Sequence, residues 1–219
     1  MRGLMLFVTM VACSGLAWAA PARVDVHVCQ QAEVPAAELA GAEKEAAYLL
    51  GEAGVSVNWL GCTWAEGDHP AAPVAEVVLL IRERSPWQVP DGRQVCGAAL
   101  IDHDRTGTYG LAFYDETRRL ALKGTIDTDI VLAYVIAHEI GHLAGLRHGP
   151  TGIMRPQWGE HEMELMKKHW LGFTVQERSV LTAALASRVE AQTSAGPAAM
   201  TGEPPSGGLP QEEAENPAR

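Results

Sequence analysis

From Arg23 to Gln30, apolar Val24, Val26 and Val28 alternate with Asp25, His27 and Cys29, the period of two shown by a strand with one buried face. His27 then reads as a surface or strand-end residue. The period changes between Pro35 and Ala53, where Leu39, Ala42, Ala46, Leu49 and Leu50 recur at helical spacing. Pro35 opens this helix where a missing N–H is harmless, and Gly54 follows its end. Val55 to Leu60 is again strand-like. Strand, helix, strand predicts a right-handed crossover that joins two parallel strands.

After a Gly/Pro-rich loop from Gly61 to Pro73, the stretch Val74 to Arg82 is almost continuously apolar, as a central strand covered on both faces requires. Pro86 to Gly92 reads as loop. Gly97 to Asp102 and Tyr109 to Asp115 read as two more strands around the polar turn His103 to Gly107, in which His103 and Asp104 are turn formers. Asp127 to Ala144 is a helix with Asp127 at its N-cap, Asp129 in its first turn, and apolar positions nearly all round. Such a helix must lie buried, here under the sheet. Two further helices are expected, Glu160 to Trp170 and Thr174 to Ala186, the second opened by a Thr174/Glu177 capping box. His161 and His169 read as surface residues. The expected architecture is α/β: a mixed, twisted five-stranded sheet resting on two long helices, with a C-terminal helical segment and a cleft between the edge strand and the helix at 127–144.

The two ends of the chain depart from this pattern. Residues 1–19 carry Arg2, an apolar run from Leu4 to Ala12, and Ala17-Trp18-Ala19 as an A-x-A cleavage site, the marks of an export signal. The run is short of the ~20 residues that span a bilayer, so no membrane span is expected and the mature protein should begin at Ala20. Met10-Val11-Ala12-Cys13 could serve as a lipoprotein site, but the apolar segment before Cys13 is very short. From Ser187 to Arg219 Ala, Pro, Gly, Ser and Glu replace large apolar residues, which predicts a disordered acidic tail. Residues 20–186 remain as one domain. The chain as a whole is 47% hydrophobic and 20% charged, a globular balance. Its formal charge of −10 becomes −11 once Arg2 leaves with the signal, which argues against nucleic acid or an anionic membrane as partner.

The candidate chemistry lies in His138-Glu139-Ile140-Gly141-His142-Leu143-Ala144-Gly145-Leu146-Arg147-His148. His138 and His142 are four residues apart, so on a helix their imidazoles leave one face a turn apart and can grip one metal ion. Zinc in a hydrolytic site takes three protein ligands and keeps a fourth position for water. Gly145 can adopt the left-handed conformation that ends a helix, which lets the chain turn back and bring His148 in as third ligand. Three neutral imidazoles leave the ion its full charge, and Glu139 stands beside them as a general base. A lone His-Glu-x-x-His can be a solvated helix face; the five-residue coincidence with Gly145 and His148 is much harder to explain that way.

These residues resemble the long zinc motif of the metzincin metallopeptidases, and the chain is similar to a small bacterial exported relative of the matrixins. The resemblance implies a zincin-like fold. It assigns Gly152-Ile153-Met154 to a tight methionine turn, with Met154 supporting the histidines from below and making no metal bond. His148 and Met154 are closer together than in matrixins, so this turn must be abrupt. The segment Gly110-Leu111-Ala112-Phe113-Tyr114-Asp115-Glu116 resembles the matrixin stretch that holds a structural zinc, but Phe113 stands where the ligating histidine would be. No structural zinc is expected, and calcium through Asp115 or Glu116 is the lesser candidate ion.

The mature chain holds three cysteines. Cys29 and Cys62 each follow a strand of the proposed parallel pair, at the same end, within reach of a disulfide. Cys96 is then left free, paired between chains, or available as a latency thiolate on zinc. The expected function is a secreted zinc endopeptidase, acting on a peptide or protein substrate with Glu139 as general base. The rival is a secreted zinc-binding module with little turnover; Glu139, which metal binding does not need, favours the enzyme.

Overall fold

The computed structural model describes residues 22–62, 75–87, 95–103 and 106–195. The expected export signal, the tail beyond Ala195, most of the two Gly/Pro-rich loops, and Asp104 and Arg105 of the polar turn lie outside the described residues. The strands are β1 (Ala22–Gln30), β2 (Val55–Gly61), β3 (Ala75–Arg82), β4 (Gly97–Leu100) and β5 (Tyr109–Phe113). The helices are α1 (Ala36–Glu52), α2 (Tyr114–Gly124), α3 (Thr128–Leu143), α4 (Glu160–Lys167) and α5 (Val175–Ala195).

The strands form one mixed sheet in the order β2-β1-β3-β5-β4. β1 pairs in parallel with β2 and β3, and β3 in parallel with β5. β4 alone runs antiparallel, at the edge, with Gly97 opposite Ala112 and Leu100 opposite Tyr109. The period-two pattern of β1 does what it predicts on one face, since Val24 and Val26 are fully buried. Its polar partner positions are more covered than alternation implies: Asp25 is 3% exposed and accepts a bond from Arg23 Nε at 3.3 Å.

Helices α1 and α3 pack on each other and on the sheet. α1 presents Ala42, Ala46, Leu49 and Leu50, whose two alanines let the neighbouring helix come close. α3 is buried from Val131 through Gly141, as an all-round apolar sequence demands. Asp127 does occupy the N-cap, though its side chain makes no capping bond. Among the described residues no helix is long and apolar enough to cross a membrane.

Four boundaries differ from expectation by two residues or more. The strand expected over Gly97 to Asp102 ends at Leu100. The strand expected to run to Asp115 stops at Phe113, and residues Tyr114 to Gly124 turn into helix α2. Its signals are local: Asp115 and Glu116 in the first turn, Lys123 in the last, and Tyr114, Thr117 and Ala121 on one buried face. α4 ends at Lys167, where His169 adopts a positive φ of 54°. α5 continues nine residues past Ala186 to Ala195, so the tail expected to be disordered from Ser187 is helical over 187–195; Leu181 and Leu185 anchor the first half of the helix in the core and nothing in the next turns breaks it. Its capping box forms, Thr174 N–H to Glu177 Oε2 at 2.7 Å and Glu177 N–H to Thr174 Oγ1 at 3.3 Å.

Cys29 and Cys62 are joined by a disulfide across the ends of β1 and β2, with Cα atoms 4.7 Å apart. Cys96 is the free cysteine among the described residues.

Candidate metal centre

His138, His142 and His148 offer ligand nitrogens that all lie within 4.8 Å of one another. The first two arrive by helix periodicity alone, one turn apart on α3. The third depends on how α3 stops. Gly145 has φ +91°, its N–H bonds to His142 O at 2.8 Å, and the N–H of Leu146 returns to Gly141 O at 2.9 Å. This pair of bonds is the Schellman ending that a left-handed residue allows, and it throws the chain back toward the helix it has just left. His148 thereby faces His142.

The backbone around this turn also sets the protonation of the ring nitrogens. His138 Nδ1 lies 2.8 Å from Ile153 O, and His142 Nδ1 lies 2.9 Å from Leu146 O. A carbonyl oxygen can only accept, so both Nδ1 atoms carry the hydrogen, and in the neutral rings both Nε2 atoms present lone pairs. Burial, the nearby His142 ring and, more weakly, His148 lower the pKa of His138 to about 3 despite the opposing carbonyl bond, so it stays neutral. His142 Nε2 stands 3.0 Å from His138 Nε2 and 3.2 Å from His148 Nε2. Two acceptors at 3.0 Å cannot bond to each other; a cation between them satisfies both. Nitrogens on a tetrahedral zinc bound at ~2.0–2.1 Å sit roughly 3.3 Å apart, so the donor set fits that ion.

Glu139 is 4% exposed, and among the described residues its Oε2 has no hydrogen-bond partner. Burial pushes its carboxyl up to about 8. Gly97, the first residue of edge strand β4, makes the room for it: a Cβ there would lie 2.8 Å from both Cδ and Cγ of Glu139. The carboxylate thus sits between α3 and the edge strand, where the cleft was expected.

Met154 is fully buried directly beneath α3. A Cβ on Gly141 would meet Met154 Sδ at 2.6 Å, so the glycine between the two helical histidines is what admits the sulfur. The turn that carries it is tight: Gly152 has φ +77°, and Gly149 N–H bonds to Met154 O at 2.9 Å. Just beyond it, Arg155 pairs with buried Glu162, whose Oε2 also accepts the Gly159 N–H at 2.8 Å. Trp158 stands edge-on to His138, ring centroids 5.6 Å apart and planes at 89°.

Sequence reasoning named the three histidines, Glu139, Gly145 and Met154, and passed over Gly97, Gly141, Trp158 and Glu162. Gly141 could have been found from its place between two histidines on a buried helix, and Glu162 from its N3 position three residues after Gly159 at the N-cap of α4; Gly97 and Trp158 have no local signal. The carboxylates considered for calcium are engaged otherwise: Asp115 with Arg84 at 2.8 Å and Glu116 with Arg119 at 2.8 Å. Phe113, in place of a structural-zinc histidine, is fully buried against Trp87. Cys96 lies outside the group of ligand atoms, and burial together with the charges of Glu116 and Glu139 pushes its thiol up to about 12. His169 pairs with Glu45 at 2.6 Å, and His161 is exposed.

No protein-family model matches the chain, and no curated protein matches it. Among solved structures it is similar to archaemetzincin from Methanopyrus kandleri, at 15% identity over 78% of this chain and 99% of that one, with a TM-score of 0.49. It is also similar to metalloproteinase-II from Bacteroides fragilis, at 12% identity over 70% of this chain and 54% of that one, with a TM-score of 0.40.

Proposed function

We propose that this chain is an exported zinc endopeptidase of metzincin type, matrixin-like in its motif, in which His138, His142 and His148 hold the ion and Glu139 is the general base. The observation that carries the reading is the convergence of the Nε2 atoms of His138 and His142, whose Nδ1 atoms are committed to backbone carbonyls, with that of His148, beside a buried carboxylate with an oxygen that has no partner among the described residues. A zinc ion bound there supplies Lewis acidity toward a carbonyl oxygen and lowers the pKa of water.

The chain's own residues do the rest. The Glu139 carboxylate takes a proton from the attacking water and returns it to the leaving amine, the acid–base role for which a pKa near the working pH is suited. Burial lifts Glu139 toward that range, and a nearby positive charge draws it back down. The Ile153 and Leu146 carbonyls keep His138 and His142 in one tautomer. Met154, under Gly141, fixes the floor. An extended peptide is the substrate that suits a cleft bordered by β4, the edge strand among the described residues. The export reading assigns residues 1–19 to a cleaved signal, and the catalytic unit, expected over 20–186, takes in the rest of α5 to Ala195.

The test is Glu139→Gln on zinc-loaded mature protein, assayed against a broad peptide library. Zinc content should be retained while turnover falls ~10²–10⁴-fold, the usual contribution of general acid–base catalysis. A wild type that binds zinc but cleaves nothing in the library would favour a binding module instead. The mass of the mature N-terminus tests the cleavage site at Ala19.

A further inference from the structure

We infer that Trp158 is a positioning residue for the metal centre, acting through the Ile153 carbonyl on the ring of His138; the inference rests on the zinc reading above.

Ile153 O accepts two hydrogen bonds, from His138 Nδ1 at 2.8 Å and from Trp158 Nε1 at 3.2 Å. A carbonyl oxygen has two lone pairs, so the two donors together occupy its capacity and define where it points. The carbonyl belongs to the methionine turn, one residue before Met154, and Ile153 itself is fully buried with its N–H bonded to Gly172 O at 3.1 Å. With the indole in place the oxygen has one orientation, and the His138 ring that bonds to it has one orientation as well.

The indole ring is itself held against the ligand helix. It meets His138 edge-on at 5.6 Å and Tyr134 at 6.3 Å with planes at 78°. Tyr134 and His138 are one turn apart on α3, so Trp158 lies along the flank of the helix from which the ligands project. One side chain therefore touches the ligand, the turn of helix before it, and the carbonyl that orients it. Partners of this kind, bonded to the far nitrogen of a ligating histidine or holding what is bonded there, typically govern metal affinity by ~10–100-fold. Phe at the position would keep the edge contacts and lose the N–H, leaving the carbonyl with His138 as its single donor.

The experiment compares Trp158→Phe with wild type by zinc dissociation constant, measured in chelator competition, and by the visible absorption of the cobalt-substituted protein. Trp170→Phe is the control, because Trp170 is 72% exposed against Lys168, away from this contact. Zinc binding by Trp158→Phe should weaken by about tenfold with a changed cobalt spectrum, while the melting temperature of the metal-free protein is unchanged and Trp170→Phe behaves as wild type. A dissociation constant within about twofold of wild type, well short of the ~10-fold loss expected when such a partner is removed, would overturn the assignment. Should Trp158→Phe not fold, Trp158→Tyr is read by the same criteria. Wild type that binds no zinc would instead refute the metal reading, and this inference with it.

Discussion

Gly97 on the edge strand and Glu139 on α3 are matched in shape: a Cβ on the glycine would come within 2.8 Å of two carbons of the glutamate side chain. Backbone and carboxylate can share this space only because position 97 has no side chain. Gly97→Ala should therefore force Glu139 into another rotamer. Because Glu139 is buried, the displaced carboxylate has nowhere equivalent to go, so peptidase turnover should fall by at least tenfold while zinc content is retained. Turnover equal to wild type would mean that the carboxylate's position there does not matter to catalysis.

His142 is the middle member of the cluster, within 3.2 Å of both other Nε2 atoms. His142→Ala should lose zinc on passage through a chelating column, because two neutral ligands cannot hold the ion in competition. Metal analysis by mass spectrometry gives the answer directly; full occupancy in the variant would remove His142 from the ligand set.

The pair Arg155–Glu162 locks the chain just after the methionine turn. Burial alone would raise the pKa of Glu162, but the Gly159 N–H and the Arg155 guanidinium outweigh it and hold the carboxyl below its ordinary range. A lowered folded pKa contributes stability above the unfolded value, and that contribution is lost as pH falls through the folded one. Glu162→Ala should be less stable than wild type by about 1–2 kcal/mol at neutral pH, and the gap should close below roughly pH 4.5. Denaturant unfolding at pH 7 and pH 3.5 measures it; a gap that widens in acid would contradict the assignment.

The Cys29–Cys62 bond spans a separation of 33 residues and ties β1 to β2 at one end. Replacing both cysteines with alanine should cost about 2–4 kcal/mol, chiefly through a less constrained unfolded chain. Mass mapping without reduction should find this bridge, with Cys96, half-buried and with its thiol pushed up to about 12, alkylated more slowly before unfolding than after it.

What could be read along the chain is what depends on near neighbours. The spacing of His138 and His142, the left-handed Gly145 and the capping box of α5 are relations over two to four residues, and each stands in the structure as the pattern implies; the alternation of β1 does so on its valine face, while Asp25 and Cys29 opposite are buried as well. The parallel pairing of β1 and β2, and with it the Cys29–Cys62 link, follows from the short crossover between them. Helix α2 had local signals as well, but the strand pattern leading into Phe113 masked them, and the change of period falls within one residue. The full length of α5 depended on the core contacts of Leu181 and Leu185, which composition near Ser187 does not reveal. The fit of Gly97 to Glu139, the seat of Met154 under Gly141, the Arg155–Glu162 pair and the carbonyl shared by His138 and Trp158 were decided by tertiary structure alone. Close packing joins residues that the chain order separates, so which glycine must stay bare and which carbonyl must take two donors is settled only once sheet, helix and turn are brought together.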